Sequence, residues 1–243
     1  MAAAQALMAN RRMPKRRAAA VPIPAEATAS ERLREQSKRG RFIKRCGDIL
    51  FSLLVLVLGS PLFLLLAVLV KLSSRGSVFY SQRRIGRGYK GFGCLKFRTM
   101  RKDADRLLAA VLASDPALKA EFERDHKLRN DPRITPIGKL LRRSSIDELP
   151  QFINVLQGQM SVVGPRPIVW DELRRYGAAM DEVLAVRPGL TGLWQVSGRN
   201  NLSYSKRVRL DLRYVRQRSI WLDLRIILRT IGVVLLPMDR GAY

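Results

Sequence analysis

Residues 49–70 read ILFSLLVLVLGSPLFLLLAVLV, 22 residues without a single charge. A stretch of that length and composition is what a membrane helix needs. Two details argue against an ordinary crossing. Gly59, Ser60 and Pro61 stand at its centre, where a proline removes one helical hydrogen bond and clashes with the preceding turn. Basic residues also flank both ends, with Lys38, Arg39, Arg41, Lys44 and Arg45 before it and Lys71, Arg75, Arg83 and Arg84 after it. The positive-inside tendency then holds both ends on one face of the bilayer. A re-entrant hairpin with its break at Ser60-Pro61 satisfies both constraints. A kinked crossing helix and a buried core helix are the competing readings.

The rest of the chain divides around this segment. Residues 1–38, rich in Ala, Arg, Pro and Ser, read as a disordered basic tail, and the apolar run starts too late for a signal peptide. Residues 39–75 hold the membrane segment, 76–237 form one further domain, and 238–243 are a short terminal tail. Strands are expected over 78–84 and 94–100, joined by the glycine-rich connection 85–93. No Walker pattern marks that connection as a phosphate loop. A charged surface helix follows over 103–128, with a break signal at Asp115-Pro116, and a basic helix over 139–145. Over 206–237, Leu210, Tyr214, Ile220, Leu224, Ile227 and Ile231 recur at helical spacing, interleaved by Arg207, Arg213, Arg216, Arg225 and Arg229. That pattern suits either a membrane surface or core helices with a basic outer side. The fold class is therefore mixed α/β, mainly helical with a small β-hairpin, carrying a re-entrant helix-break-helix and interfacial amphipathic helices.

The formal charge of +25 demands an anionic partner. Anionic lipid satisfies it at about 1 kcal/mol per basic residue near the surface. Nucleic acid is the rival, but no helix-turn-helix, zinc finger or stacking motif accompanies the charge, so no nucleic-acid partner is expected. A membrane-tethered nucleic-acid binder or a scaffold remains the alternative function. Cys46 and Cys94 lack metal-ligand spacing and read as reduced packing residues. His126 stands among Glu121, Glu123, Asp125 and Lys127 and reads as part of a solvated face.

Chemistry concentrates in Ser144-Ser145-Ile146-Asp147-Glu148-Leu149-Pro150-Gln151, preceded by Lys139, Arg142 and Arg143. Cations keep neighbouring carboxyl groups ionised, and an ionised aspartate can attack phosphorus to form a reactive acyl phosphate. The adjacent glutamate can hold a divalent metal or orient the nucleophile. Ser145-x-x-Glu148 also fits a capping box, but Pro150 opposes a helix running through it. A helix from Pro150 to Gly158, with Asp147 and Glu148 in the preceding turn, fits better. Gly164-Pro165-Arg166-Pro167 holds one guanidinium between two stiff residues, which suits phosphate recognition as well as a plain rigid loop. The stretch 187–200, RPGLTGLWQVSGRN, is a glycine-punctuated loop able to line a nucleotide or sugar pocket.

Six segments in this order, KRCGDILFSLLVLVLGSPLF, VFYSQRRIG, KFRTM, SSIDELPQFINVLQGQMSVVGPRP, RPGLTGLWQVSGRN and LDLRYV, resemble the monotopic phosphoglycosyl transferases of the bacterial sugar transferase family. The likeness runs from about residue 44 to 231. It implies transfer of hexose-1-phosphate from a UDP-sugar, galactose before glucose, to undecaprenyl phosphate, with release of UMP. This is the first membrane step of exopolysaccharide or capsule assembly, at the bacterial cytoplasmic membrane with the catalytic domain facing the cytoplasm. Asp147 would be the nucleophile, Glu148 its partner, and both would hold Mg2+. Arg142 would contact phosphate, Arg166 would grip the UDP moiety, and Lys96 and Asp211 would be further pocket residues. The sequence leaves the oligomeric state open, a homodimer being compatible with it.

Overall fold

The computed structural model describes residues 38–235, apart from 126, 127 and 129. The basic tail up to residue 37, His126 and the terminal residues 236–243 lie outside the described residues. The leucine- and valine-rich run forms two helices, α1 (Lys38–Leu58) and α2 (Ser60–Ser73), bent by 64° where Gly59 joins them. Pro61 stands in the first turn of α2, where its missing N–H leaves no helical bond unmade. At the bend, Ser60 Oγ donates to the Val57 carbonyl at 2.8 Å. Among the described residues no single helix is long and apolar enough to cross a membrane. The bent pair meets that length and composition only when taken together. Leu50, Leu54, Val57, Leu58, Leu64 and Leu72 are each more than half exposed along it.

Alternating residues then form β1 (Phe79–Ile85) and β2 (Gly91–Phe97), an antiparallel pair with Ile85 opposite Gly91 and Phe79 opposite Phe97. The connection is shorter than expected from sequence, because Gly91 and Gly93 belong to the ladder instead of the loop. A Cβ at Gly93 would stand 2.3 Å from Ser81 Oγ on the neighbouring strand, so a larger residue there would have to displace that hydroxyl. The charged segment breaks at Asp115 as its proline requires, into α3 (Ala104–Ser114) and α4 (Pro116–Asp125). Asp115 Oδ1 accepts from the Ala117 N–H at 2.8 Å and so caps α4. Helix α5 (Pro136–Ser144) is capped by Thr135, whose hydroxyl accepts from the Gly138 N–H at 3.0 Å.

Past the acidic turn come α6 (Gln151–Leu156), β3 (Ser161–Val163), the one-turn helices α7 (Leu173–Tyr176) and α8 (Met180–Val183), and β4 (Gly189–Thr191). Strands β3 and β4 pair in parallel. The loop expected at 187–200 thus begins with a strand. The terminal segment is two helices, α9 (Tyr204–Gln217) and α10 (Ile220–Leu235), parted at residues 218 and 219.

Three apolar clusters join these elements. Phe92, Cys94, Phe152, Val155, Met160 and Tyr214 pack the centre. Leu66, Val70, Phe97 and Leu141 bind α2 to β2 and α5, while Ile85, Ile168, Tyr176 and Val208 fill the far side. Burial raises the Cys94 thiol to about 11, in keeping with a packing role, and both cysteines are free.

A polar network fastens α1 to the rest. Arg45 donates to the last carbonyls of α6, those of Val155 (2.7 Å) and Leu156 (3.0 Å), where a cation complements the helix dipole. Asp48 accepts from Ser161 Oγ at 2.8 Å and from the Val162 N–H at 3.1 Å. Lys44 reaches Asp223 of α10 at 2.7 Å, and Tyr214 donates to the other oxygen of Asp223 at 2.8 Å.

Candidate active site

The acidic turn owes its shape to the end of α5. Ser145 adopts a left-handed conformation (φ 58°), which stops the helix and directs the chain into the turn Ile146–Glu148. Pro150 then precedes α6, so the arrangement expected from the proline is the one observed, and Ser145 makes no side-chain cap. Two contacts hold this turn in place. Gly138 presses α5 onto the end of β2, since a Cβ there would fall 2.1 Å from the Thr99 carbonyl. Behind the turn, Asn154 of α6 acts as a short extra strand, donating to the Gly93 carbonyl at 2.8 Å and accepting from the Leu95 N–H at 2.9 Å.

Asp147 is 7% exposed and lies in the wall of a cleft of about 1,050 Å³. Lys96, Arg142, Glu148 and Arg166 share that cleft, so five of the six pocket residues expected from sequence converge on it. Lys96 Nζ stands 2.6 Å from Glu148 Oε1. Arg142, in the last turn of α5, donates from Nε to Thr99 Oγ1 at 2.8 Å, which fixes the plane of its guanidinium. Arg166 lies 5.6 Å from the centre of the Trp194 ring, and Arg207 lies 5.0 Å from the same ring. The indole is 4% exposed, and such cation–π contacts orient the arginine head.

Asp211 is placed otherwise. It is fully buried on the inner face of α9, accepts from the Tyr176 hydroxyl at 3.0 Å and does not line the cleft. Its helix face explains this, because Val208, Tyr214 and Val215 share its burial. Burial raises its carboxyl to about 7, against the Tyr176 hydrogen bond and the nearby Arg166. Asp211 thus supports the Arg166 region and is not a pocket residue.

The two adjacent carboxyl groups are pushed in opposite directions. Burial raises Asp147 to about 6, and the charge of Glu148 adds to it, against the pull of Lys96 and Arg142. Glu148 feels the same burial, but the ion pair with Lys96, helped by Arg166 and Arg84, outweighs it and holds the group below its ordinary value. Near neutral pH both are ionised, and Asp147 is then a partly desolvated carboxylate beside cations, suited to attack on phosphorus.

Among the described residues no group of three or more His, Cys, Asp or Glu side chains gathers as a metal cage. Magnesium is commonly held by one or two carboxylates plus substrate phosphates and water. Asp147 and Glu148 fit that pattern for a metal arriving with a diphosphate, although Lys96 already occupies one Glu148 oxygen.

The sequence reading missed the Trp194 contacts, the support given by Asn154 and Thr99, and the apolar side chains that two distant helices bring to the cleft. These are Phe51 and Val55 of α1 and Ile227 and Ile231 of α10. The i, i+4 spacing of each pair was visible, but not that the two helices face one cleft.

The sequence profile described as "Bacterial sugar transferase" matches residues 39–237. The chain is 50% identical over 204 residues to the exopolysaccharide production protein ExoY of Sinorhizobium fredii, covering 84% of this chain and 89% of that protein. It is 48% identical over 206 residues to the undecaprenyl-phosphate galactose phosphotransferase of Salmonella typhimurium, covering 85% of this chain and 43% of that protein. Over 199 residues it is 38% identical to the UDP-glucose:undecaprenyl-phosphate glucose-1-phosphate transferase of Escherichia coli, covering 79% and 40%. The chain therefore spans most of its rhizobial relative and under half of the longer two. With the profile matching nearly all the described residues, this chain belongs to the bacterial sugar transferase family.

Proposed function

We propose that this protein transfers hexose-1-phosphate from a UDP-sugar to undecaprenyl phosphate through a covalent intermediate on Asp147. The observation that carries the reading is one buried, ionised carboxylate in a cleft lined by both cationic and apolar side chains. In the first step an Asp147 oxygen attacks the phosphorus attached to the sugar. The bond from that phosphorus to the bridging oxygen breaks, and its electron pair leaves with UMP. In the second step a phosphate oxygen of the lipid attacks the same phosphorus, the bond to Asp147 breaks, and the free carboxylate returns with the polyprenyl diphosphate sugar. No proton needs to be removed from either nucleophile.

Arg142, Lys96 and Arg166 suit binding of the phosphates and stabilisation of the charge that spreads over the transferred group. A magnesium ion held by Asp147 and Glu148 would add neutralisation of the diphosphate and of the departing UMP. Galactose is the favoured sugar, since the relative named for galactose is 48% identical and the one named for glucose 38%. The bent pair α1–α2 suits a re-entrant segment of the bacterial cytoplasmic membrane, with its exposed leucines among acyl chains and the catalytic domain on the cytoplasmic side. The basic faces of α9 and α10 suit anionic headgroups. The experiment is intact and peptide mass spectrometry after incubation with UDP-galactose and Mg2+ in the absence of lipid. A hexose-phosphate addition mapping to Asp147 is expected. Turnover with no addition at that residue would sink the covalent route.

A further inference from the structure

Resting on that reading, we propose that the groove between α1 and α10 is the passage through which the isoprenoid chain of the acceptor lies, while the nucleotide sugar comes from the opposite, cationic side. The cleft's volume of about 1,050 Å³ stands at the top of the roughly 300–1,000 Å³ usual for one drug-sized ligand. A second ligand therefore has room. The two walls differ in chemistry as two such ligands would. Lys96, Arg101, Lys102, Arg142, Arg166 and Arg199 line one part, which suits a diphosphate. No cation of α1 or α10 lines the other part, where Phe51, Val55, Ile227, Ile231 and Val233 stand.

The two helices are built to leave a gap. Lys44 and Asp223, 2.7 Å apart, pin them together near their N-terminal ends, and both run on from that pin. At 1.5 Å per residue, Phe51 and Val55 lie about 10 and 16 Å beyond it along α1, and Ile227 and Ile231 about 6 and 12 Å along α10. Phe51, Val55 and Ile227 pack on the central cluster, with Phe51 6.0 Å from Phe152 between ring centres, and still line the cleft together with Ile231. The gap reaches the outside, because Ile231 lines the cleft and is still 47% exposed. Beside it on α10, Leu224 and Leu228 are 46% and 69% exposed, and on α1 Leu54 and Leu58 are 55% and 72% exposed. The apolar wall thus continues into an exposed apolar surface large enough to need a cover. A chain with an apolar tail and one anionic head matches this sequence of surfaces, its head falling at Asp147. Thr230 donates to the Ile226 carbonyl at 2.8 Å and so accepts from Thr191, 2.8 Å away, which ties α10 to β4 and sets the width of the groove.

The test separates the half-reactions in nanodiscs containing phosphatidylglycerol. Ile231→Gln and Val55→Gln should keep the stoichiometric UMP burst seen without lipid. They should raise the KM for undecaprenyl phosphate about tenfold, as expected for losing roughly half the contact of one buried branched side chain. With a short, water-soluble prenyl phosphate as acceptor the KM should stay within twofold of wild type. A photoreactive polyprenyl phosphate should label peptides containing residues 51–55 and 227–233 of the wild-type protein, which keeps the proposal testable if a variant folds poorly. Equal KM changes for long and short acceptors, or labelling confined to other segments, would overturn it. The wild-type burst and mass addition report on the covalent mechanism alone, so a failed passage and a failed mechanism give different results.

Discussion

Two groups of buried carboxylates lie within this fold, and they are treated in opposite ways. Asp48 and Asp223, which join α1 to β3 and α10, have their oxygens occupied by Ser161, the Val162 N–H, Lys44 and Tyr214. Asp147, as buried as Asp48 at 7% exposed, accepts a hydrogen bond from no other side chain among the described residues. A desolvated carboxylate is costly unless hydrogen-bonded and paired. The fully partnered group holds elements together, and the under-partnered one is left with reactivity. Lys96 sharpens the contrast, because its ammonium is spent on Glu148 at 2.6 Å and reaches Asp147 only as a nearby charge.

The largest effect should come from Asp147→Asn. Removing the nucleophile of a covalent mechanism commonly lowers turnover by at least about 10⁴-fold, and UMP release should fall that far with or without lipid. A residual rate within tenfold of wild type would remove Asp147 from the chemistry and erase the contrast between the two groups. The next effect falls on stability. Asp48→Ala leaves Lys44 with one carboxylate, leaves the Val162 N–H without its acceptor and leaves the Ser161 hydroxyl only the Val163 carbonyl at 2.9 Å, so it should cost about 2 kcal/mol. A melting temperature several degrees lower is expected, with UMP release per folded molecule largely preserved. An unchanged melting point would show that the network is not what fastens α1.

How much of this was legible in the sequence follows from the range of each interaction. The bend at Gly59-Ser60-Pro61, the break at Asp115-Pro116 and the start of α6 just after the turn carrying Asp147 and Glu148 each have a proline acting within a few residues, and all could be read locally, whereas the left-handed Ser145 that shapes the turn itself could not. The hairpin was legible as two strands, but its loop was drawn too long because Gly91 and Gly93 look like turn residues until Ser81 is seen against them. Strands β3 and β4 span three residues each, too few for alternation to appear, and their pairing depends on glycines at 164 and 189 whose Cβ positions are filled by backbone. The partners of Lys44 and Trp194 lie far along the chain, 179 residues away in the case of Asp223, where spacing carries no signal. Asp211 was assigned to the pocket through resemblance alone, and its burial beside Tyr176 places it in the core.

The same Asp147→Asn protein tests the comparison a second time, through stability. Folding raises this carboxyl from an ordinary 3.8 to about 6, so between those values the folded state keeps a proton that the unfolded chain has lost. Wild-type stability contributed by this site therefore falls as pH rises from about 4 to about 6, and the full penalty persists above that. An amide carries no such charge. The variant should be more stable than wild type above pH 6, by up to about 3 kcal/mol, and the advantage should shrink toward nothing near pH 4. Thermal melts at those two pH values measure it.

The smallest effect concerns Lys96, which faces both members of the dyad. Its charge holds Glu148 below the ordinary value and opposes the rise of Asp147. Replacing it by methionine removes a favourable charge from two carboxylates at once, and both groups should titrate at higher pH. On the proposed covalent route Asp147 attacks as the carboxylate, so UMP release in wild type should climb as pH rises through about 6 and then level off. In Lys96→Met the same climb should move to higher pH while the plateau falls less than in Asp147→Asn. A plateau that drops with no movement of the limb would mean that Lys96 acts on the donor phosphates alone, and that the carboxylates are tuned by burial and the arginines without it.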